Sequence, residues 1–418
     1  MTPSSFDGTG AQGGPDLRPA LSRLVTVFPA IFGAEFWGQK PLLSRAGELG
    51  QDFSDLFSSE AVDELVADRG IRTPFARMAK EGTVLGTGRF TGSGGFGAEI
   101  GDQLDADKVL REFADGSTLV LQGLHRTWEP LAAFTRQLIA DVGHPSQVNA
   151  YITPASSRGF DPHYDVHDVF VIQITGQKRW TIHEPVHRDP LANEPWTDHK
   201  DAVIERATGT PYLEETFAPG DVLYLPRGWV HSATALGDYS IHLTIGVSAH
   251  TRSELAERMI ARLTASPSLR AALPMSVDRL APERLQAIVR EATADLIELL
   301  GGDDFTDDVA AEAAADFRKA IRPEPVHPLA TVTAMGALSA DTVVAWRRGL
   351  PRTVARTATH VSVAVGGRWV SLPIEGAAAV EALATGEPIR VGDLPGVDAE
   401  SAVVVARRLV REAILTVR

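Results

Sequence analysis

Apolar residues recur at helical spacing over 61–67 and 128–139, in a region running from residue 17 to about 142 that Gly-rich turns interrupt. The period then changes. Between Gln147 and Ser248 apolar and polar positions alternate, which predicts strands over 169–175 (VFVIQIT) and 178–183 (KRWTIH) joined by a tight turn at Gly176-Gln177. Further strands are expected over 221–225, 231–236 and 239–247, and short strands joined by turns predict an antiparallel sandwich or barrel. After Ala249 helical spacing returns over 253–264, 282–300 and 307–321, with Ser253 and Asp307 or its neighbours as expected N-caps. The three prolines within 322–328 mark a boundary. Beyond it the pattern predicts helices over 340–349, 376–385 and 398–415 and one hairpin, 361–365 with 368–372 across Gly366-Gly367, which together suggest a winged-helix module.

A chain of 418 residues with 44% hydrophobic and 22% charged positions is globular in composition and long enough for two or three domains. No apolar run approaches the roughly 18 residues of a membrane span, so a soluble, cytoplasmic protein is expected. Residues 1–16 are rich in Gly, Ser and Pro without a basic start or apolar stretch, which reads as a disordered lead-in rather than a signal peptide. The absence of cysteine excludes disulfide scaffolds, iron–sulfur clusters and thiol nucleophiles, and it leaves His, Asp and Glu to hold any metal. A net charge of −14 disfavours non-specific nucleic-acid binding and suits a basic partner. Residues 330–418 carry ten Arg, no Lys and eight Asp or Glu, a net of +2 that is too small for a DNA footprint, so no direct DNA binding is expected. The Gly-rich 92–97 (GSGGFG) lacks a following Lys-Ser/Thr and reads as a surface loop.

Three His-x-Asp triplets occur: His163/Asp165, His187/Asp189 and His199/Asp201. The second and third lie in a polar excursion between Glu184 and Glu214, where exposed loop positions are the plainer reading. The first immediately precedes an apolar strand, and residues two apart in extended chain share a face, so His163 and Asp165 can reach one ion. A third ligand is offered by Gly220-x5-Pro226-x-Gly228-x2-His231, a spacing similar to the second cupin motif except that Ala235 replaces its usual Asn. Two His and one carboxylate on adjacent strands make a facial triad suited to non-haem Fe(II), and zinc accepts the same donors. Lys178 is one of only six lysines. Facing inward, it can anchor the distal carboxylate of a dicarboxylate co-substrate; facing outward, it is an ordinary strand lysine.

The segments Asn149-Ala-Tyr151-Ile-Thr-Pro154, Gly159-Phe-Asp-Pro-His163-Tyr-Asp165, His167-Asp-Val-Phe-Val-Ile-Gln173, Gly176-Gln-Lys178-Arg-Trp180 and Leu225-Pro-Arg-Gly-Trp229-Val-His231 resemble the JmjC ribosomal oxygenases, also called the cupin-4 family. Upstream, Phe36-Trp37-Gly-Gln-Lys40-Pro41-Leu42 is similar to that family's N-terminal signature. The resemblance implies an α+β chain: a disordered 1–19, a double-stranded β-helix (cupin/JmjC) catalytic domain over 20–250, a helical dimerisation domain over 251–325 and a winged-helix-like domain over 326–418. It further implies a homodimeric dioxygenase that holds Fe(II) through His163, Asp165 and His231 and 2-oxoglutarate through Lys178 with help from Tyr151. Asn149 matches a polar residue of the same pocket. The family's usual Ser after the His-Leu-Thr-Ile segment is Gly246 here, which leaves Thr244 or Ser248 as substitutes for the second co-substrate contact.

The implied reaction oxidises 2-oxoglutarate to succinate and CO2 while hydroxylating a substrate C–H bond, most naturally on Arg or His of a basic ribosomal protein. Two other readings stay open at this point: the same chemistry on a peptide natural product, small molecule or tRNA base, or a non-catalytic metal-binding cupin scaffold.

Overall fold

The computed structural model describes residues 18–155, 161–273, 275, 282–320 and 322–418, in two compact units, Met1–Ala249 and His250–Arg418. The expected lead-in over 1–16, the Gly159-Phe160 pair of the motif and Ile321 lie outside the described residues. In the first unit the alternating segments build a nine-stranded sheet whose pairs are all antiparallel. Its path runs Leu42–Ser44, Val222–Leu225, Asp168–His183, Val230–Val247, Ser146–Pro154, Thr118–Leu121, Ala76–Lys80 and Thr83–Val84, and Leu213–Phe217 pairs with the second half of Asp168–His183.

Pleating sorts each strand between two faces. Met78, Leu119, Leu121, Ala150, Ile152, Phe170, Ile172, Leu243 and Ile245 enter one buried core. The helices Ser59–Ala67 and Glu129–Val142 press Val62, Leu65, Leu131, Phe134 and Leu138 into the same core. Their intervening neighbours, Arg77, Thr118, Tyr151, Thr153, Val169, Val171, His242 and Thr244, line a cavity on the opposite face. Two of these strands, Ala76–Lys80 and Thr118–Leu121, fall in the region where the sequence pattern showed only helices and turns.

The expected hairpin at Gly176-Gln177 is not formed. Asp168–His183 is one strand, and both of its halves pair with the same neighbour, from Val230↔His183 to Val247↔Asp168. The neighbour is likewise continuous, so 231–236 and 239–247 are not separate strands; the register shifts around Leu236 and Ile241 instead. Gly176 has φ of +67°, and a Cβ there would lie 2.0 Å from the Tyr239 carbonyl oxygen. A glycine that lets a long strand bend against its partner is indistinguishable in sequence from one that turns the chain.

The second unit opens with three long helices, Arg252–Leu263, Pro282–Leu300 and Asp303–Ala320. The first is capped by Thr251 rather than Ser253, its hydroxyl accepting from the Glu254 amide at 3.2 Å, and Asp307 lies inside the third helix instead of capping it. Arg258 pairs with Asp316, and Arg262 with Asp308 and Glu312, tying the first helix to the third. Among the described residues of these three helices only Leu263 and Val309 are buried, while Ile260, Val289 and Ile297 are exposed.

The C-terminal part of this unit has its own core around Val344, Trp346, Val363, Val380, Ala406 and Leu409. The expected helix over 340–349 is instead a strand, Val343–Trp346, buried between Ile389–Arg390 and Leu415–Val417. Its β-branched and aromatic side chains suit that sandwiched position. The predicted hairpin is present as His360–Val365 with Arg368–Pro373, but Val354–Arg356 adds a third strand, so there are two three-stranded sheets rather than one hairpin. The helices expected over 376–385 and 398–415 occur as Ala377–Leu383 and Ala399–Arg411, the latter capped by Asp398 and followed by a strand.

Candidate metal and anion site

His163 and His231 come from distant chain segments and are joined by backbone hydrogen bonds in both directions, at 3.1 and 2.8 Å. Their rings lie 4.4 Å apart. Each ring Nδ1 faces a backbone carbonyl, that of Asp161 for His163 (2.7 Å) and that of Trp229 for His231 (3.0 Å). A carbonyl only accepts, so Nδ1 carries the proton in both rings and Nε2 is the unprotonated nitrogen, the tautomer a metal requires. Asp165 Oδ2 is 3.8 Å from His231 Nε2, and ligand atoms of His163, Asp165 and His231 all lie within 4.8 Å of one another. Gly228, the fixed glycine of the second motif, has φ of +84° and donates its amide to the Asp165 carbonyl at 3.0 Å. A Cβ there would sit 2.5 Å from the His187 carbonyl oxygen, so the turn admits no larger residue without displacement.

Electrostatics favour the deprotonated ligand set. Burial lowers the His231 pKa, reinforced by His163. For Asp165 burial acts upward, yet the surrounding charges of His231, His167 and His163 outweigh it and hold the carboxyl below its ordinary value.

The cavity beyond these ligands measures about 240 Å³. Lys178 faces into it and is 3% exposed, which decides between the two orientations left open by sequence. Among the described residues no carboxylate pairs with its ammonium; its neighbours are Thr153 Oγ1 at 3.4 Å and His242 Nδ1 at 3.5 Å. Desolvation brings its pKa down from 10.5 to about 7. The phenol of Tyr151 reaches the same space, receives a hydrogen bond from Arg77, and has its pKa raised by burial and by Asp165. The indole Nε1 of Trp180, another wall residue, is buried with no partner among the described residues. A buried ammonium that no carboxylate pairs with among the described residues, beside a His/His/Asp cluster, fits an anionic, oxygen-rich ligand held next to a metal ion.

Of the residues singled out from sequence, His163, Asp165, His231, Lys178, Tyr151 and Thr244 share this cavity. Asn149 does not line it: its Oδ1 accepts from the Gly123 amide at 3.1 Å and ties the strand to the preceding turn. Ser248 is exposed beyond the strand end. At Gly246 a Cβ would approach the His167 ring to 3.1 Å, so that imidazole already fills the space a serine side chain would take. The other two triplets stay outside. His187 and His199 stack at 4.6 Å, His187 holds Glu194 at 2.9 Å, and Tyr164, between the two ligands in sequence, points away to donate to the Glu194 carbonyl.

Sequence reasoning missed Arg77, Thr118, Thr153 and His242. The signal for Thr118 was there, in a four-residue apolar run (TLVL) between Gly116 and Gly123. Arg77 offered none, because its role depends on register: Arg77 pairs with Val120, Val120 with Tyr151, and Tyr151 with His242.

Comparison with known proteins agrees with this geometry. Residues 125–255 match the JmjC domain family. Ribosomal oxygenase 2 of Mus musculus is 30% identical over 223 residues, 51% of this chain and 44% of that protein. The bifunctional lysine-specific demethylase and histidyl-hydroxylase NO66 of Drosophila erecta is 41% identical over 100 residues, 24% of this chain and 15% of that protein. The chain thus spans less than half the length of these relatives. Among solved structures, YcfD, a ribosomal oxygenase from Escherichia coli in complex with cobalt and 2-oxoglutarate, aligns over 94% of this chain and 99% of its own, with a TM-score of 0.51 and 18% identity, which shows a shared fold. Residues 125–255 thus match a JmjC domain, and the chain is similar in sequence to ribosomal oxygenases over about half its length and shares a cupin-type fold of mixed helix and sheet with one of them.

Proposed function

We propose that this protein is an Fe(II)- and 2-oxoglutarate-dependent dioxygenase that hydroxylates an Arg or His side chain of a ribosomal protein. The observation that carries the reading is the buried Lys178 ammonium, lacking any carboxylate partner among the described residues, in one 240 Å³ cavity with His163, Asp165 and His231. Bound together, iron and 2-oxoglutarate supply O2 activation, with conversion of the keto acid to succinate and CO2.

The chain's own residues do the rest. His163, Asp165 and His231 hold the ion on one side and leave the other open. Lys178 and Tyr151 take the distal carboxylate, and Thr244 lines the wall beside them. Val169, Val171 and Trp180 keep water from the reacting end.

The reading extends to the rest of the chain. The catalytic domain is assigned to 20–250, a helical dimer-forming domain to 251–325 and a winged-helix-like domain to 326–418, without DNA contact, in a cytoplasmic homodimer. Exposed Ile260, Val289 and Ile297 on the helices support the dimer, since a second copy would cover them. The net charge of −14 supports a basic protein substrate.

The test is incubation with Fe(II), 2-oxoglutarate and ribosomal protein fractions in air, read by mass spectrometry for a gain of one oxygen. Modification confined to another fraction sinks the substrate assignment, and absence of 2-oxoglutarate turnover with every fraction sinks the enzyme assignment in favour of a scaffold.

A further inference from the structure

His242 is buried, with 3% exposure, in the middle of the strand that forms the cavity wall. It is the cross-strand partner of Tyr151, and the two rings stack at 5.0 Å with planes 5° apart. Trp180 closes the other side edge-on, at 5.4 Å and 87°. Held by two aromatic neighbours, the imidazole presents Nδ1 to the Lys178 ammonium at 3.5 Å.

We propose that His242 is the positioning residue of the anion-binding end of the cavity: its unprotonated Nδ1 accepts from Lys178 while its ring backs Tyr151, so that the lysine is held with one N–H aimed at the distal carboxylate of the co-substrate. This inference rests on the proposed use of 2-oxoglutarate.

The donor count supports it. An ammonium has three N–H groups. Thr153 Oγ1 and His242 Nδ1 face two of them, which leaves one for a ligand. A neutral acceptor is also the right kind of neighbour: a carboxylate at this position would pair with Lys178 and repel the ligand. Burial and the lysine charge keep the His242 ring neutral.

The experiment compares 2-oxoglutarate with pyruvate, a keto acid lacking the distal carboxylate, binding to Mn(II)-loaded protein without oxygen, by calorimetry. His242→Phe keeps the stack and removes the acceptor, so 2-oxoglutarate should weaken at least tenfold while pyruvate changes less than threefold. His242→Asn, whose amide oxygen falls near the place of Nδ1, should recover most of the selectivity. Selectivity within threefold of wild type in His242→Phe overturns the proposal, as does equal weakening of both ligands, the mark of a merely structural role. Histidine 15N NMR of the wild-type protein provides a readout independent of how the variants fold: the proposal requires the tautomer protonated at Nε2, and the opposite tautomer overturns it. Wild-type protein that binds no 2-oxoglutarate overturns the functional reading and this inference together.

Discussion

Replacing Lys178 by Met should make the protein more stable and unable to hold its co-substrate. In the unfolded chain the lysine titrates near 10.5, whereas in the folded protein it titrates at about 7, with desolvation the cause. Each tenfold change in proton affinity is worth about 1.36 kcal/mol, so burial costs the charged form about 5 kcal/mol. The sign follows from linkage: a base whose folded pKa is depressed destabilises the fold fully below that pKa, and the cost disappears as pH rises toward 10.5. At pH 6 nearly the whole cost is present; at pH 9, where the folded amine is neutral and the unfolded one still charged, about 2 kcal/mol remains. The weak contacts to Thr153 and His242 offset little, at 3.4 and 3.5 Å. Allowing for relaxation around the buried charge, Lys178→Met should gain about 2–4 kcal/mol at pH 6 and clearly less at pH 9. Urea unfolding of metal-free protein at the two pH values measures this. In parallel, 2-oxoglutarate binding to Mn(II)-loaded protein should weaken by about 30-fold or more, the usual loss when one partner of a buried charge pair is removed. A variant less stable than wild type at pH 6, or a gain that does not shrink by pH 9, would refute the desolvated ammonium. Affinity retained within threefold would refute its role as the anchor.

The same titration makes co-substrate binding proton-linked. Above pH 7 the empty site holds mostly neutral Lys178, and a bound carboxylate restores its charge, so binding at pH 8 should take up about one proton and affinity should fall up to about tenfold per pH unit beyond that point. Calorimetry in buffers of different ionisation enthalpy reads the uptake, and a value near zero contradicts the mechanism. Asp165→Ala removes the carboxylate that completes the cluster around His163 and His231 and should weaken Mn(II) binding by about 100-fold or more, measured by isothermal titration; a change under tenfold would remove Asp165 from the ligand set. Gly176→Ala places a methyl 2.0 Å from the Tyr239 carbonyl in a backbone conformation with φ of +67°, and should destabilise the first unit by about 3 kcal/mol or more. A loss below about 1 kcal/mol in urea unfolding would mean the strand bend tolerates a side chain.

How legible the site was depended on whether its residues are neighbours in sequence or only in space. His163 and Asp165 share one extended segment, and Gly228 and His231 share one turn, so alternation and turn chemistry were enough to find them. Lys178 could be found but not oriented, because the side of a strand that faces inward is fixed by pairing rather than by composition. Here the pairing was misread. Gly176-Gln177 flanked by apolar alternation has the form of a hairpin, and only the approach of Tyr239 to Gly176 shows that the chain bends without turning back. Asn149 was misplaced for a related reason: it sits on the same face as Tyr151 and Thr153, but its amide is drawn to the Gly123 backbone, a contact 26 residues away.

Arg77, Thr118, Tyr151, Lys178 and His242 come from five strands, and no two of them lie within 25 residues of each other. What joins them is the register Arg77–Val120–Tyr151–His242 across four strands, with Lys178 reaching in from the wrapped half of Asp168–His183. A metal cluster needs donors that a short motif can carry, whereas an anion pocket lined by several strands needs donors from several of them. The ligand-binding half of the site is therefore a property of the register across the sheet. Substitutions that shift register anywhere along it should disturb co-substrate selectivity before they disturb metal affinity, because the two-way backbone bridge between His163 and His231 holds the metal end independently of that row.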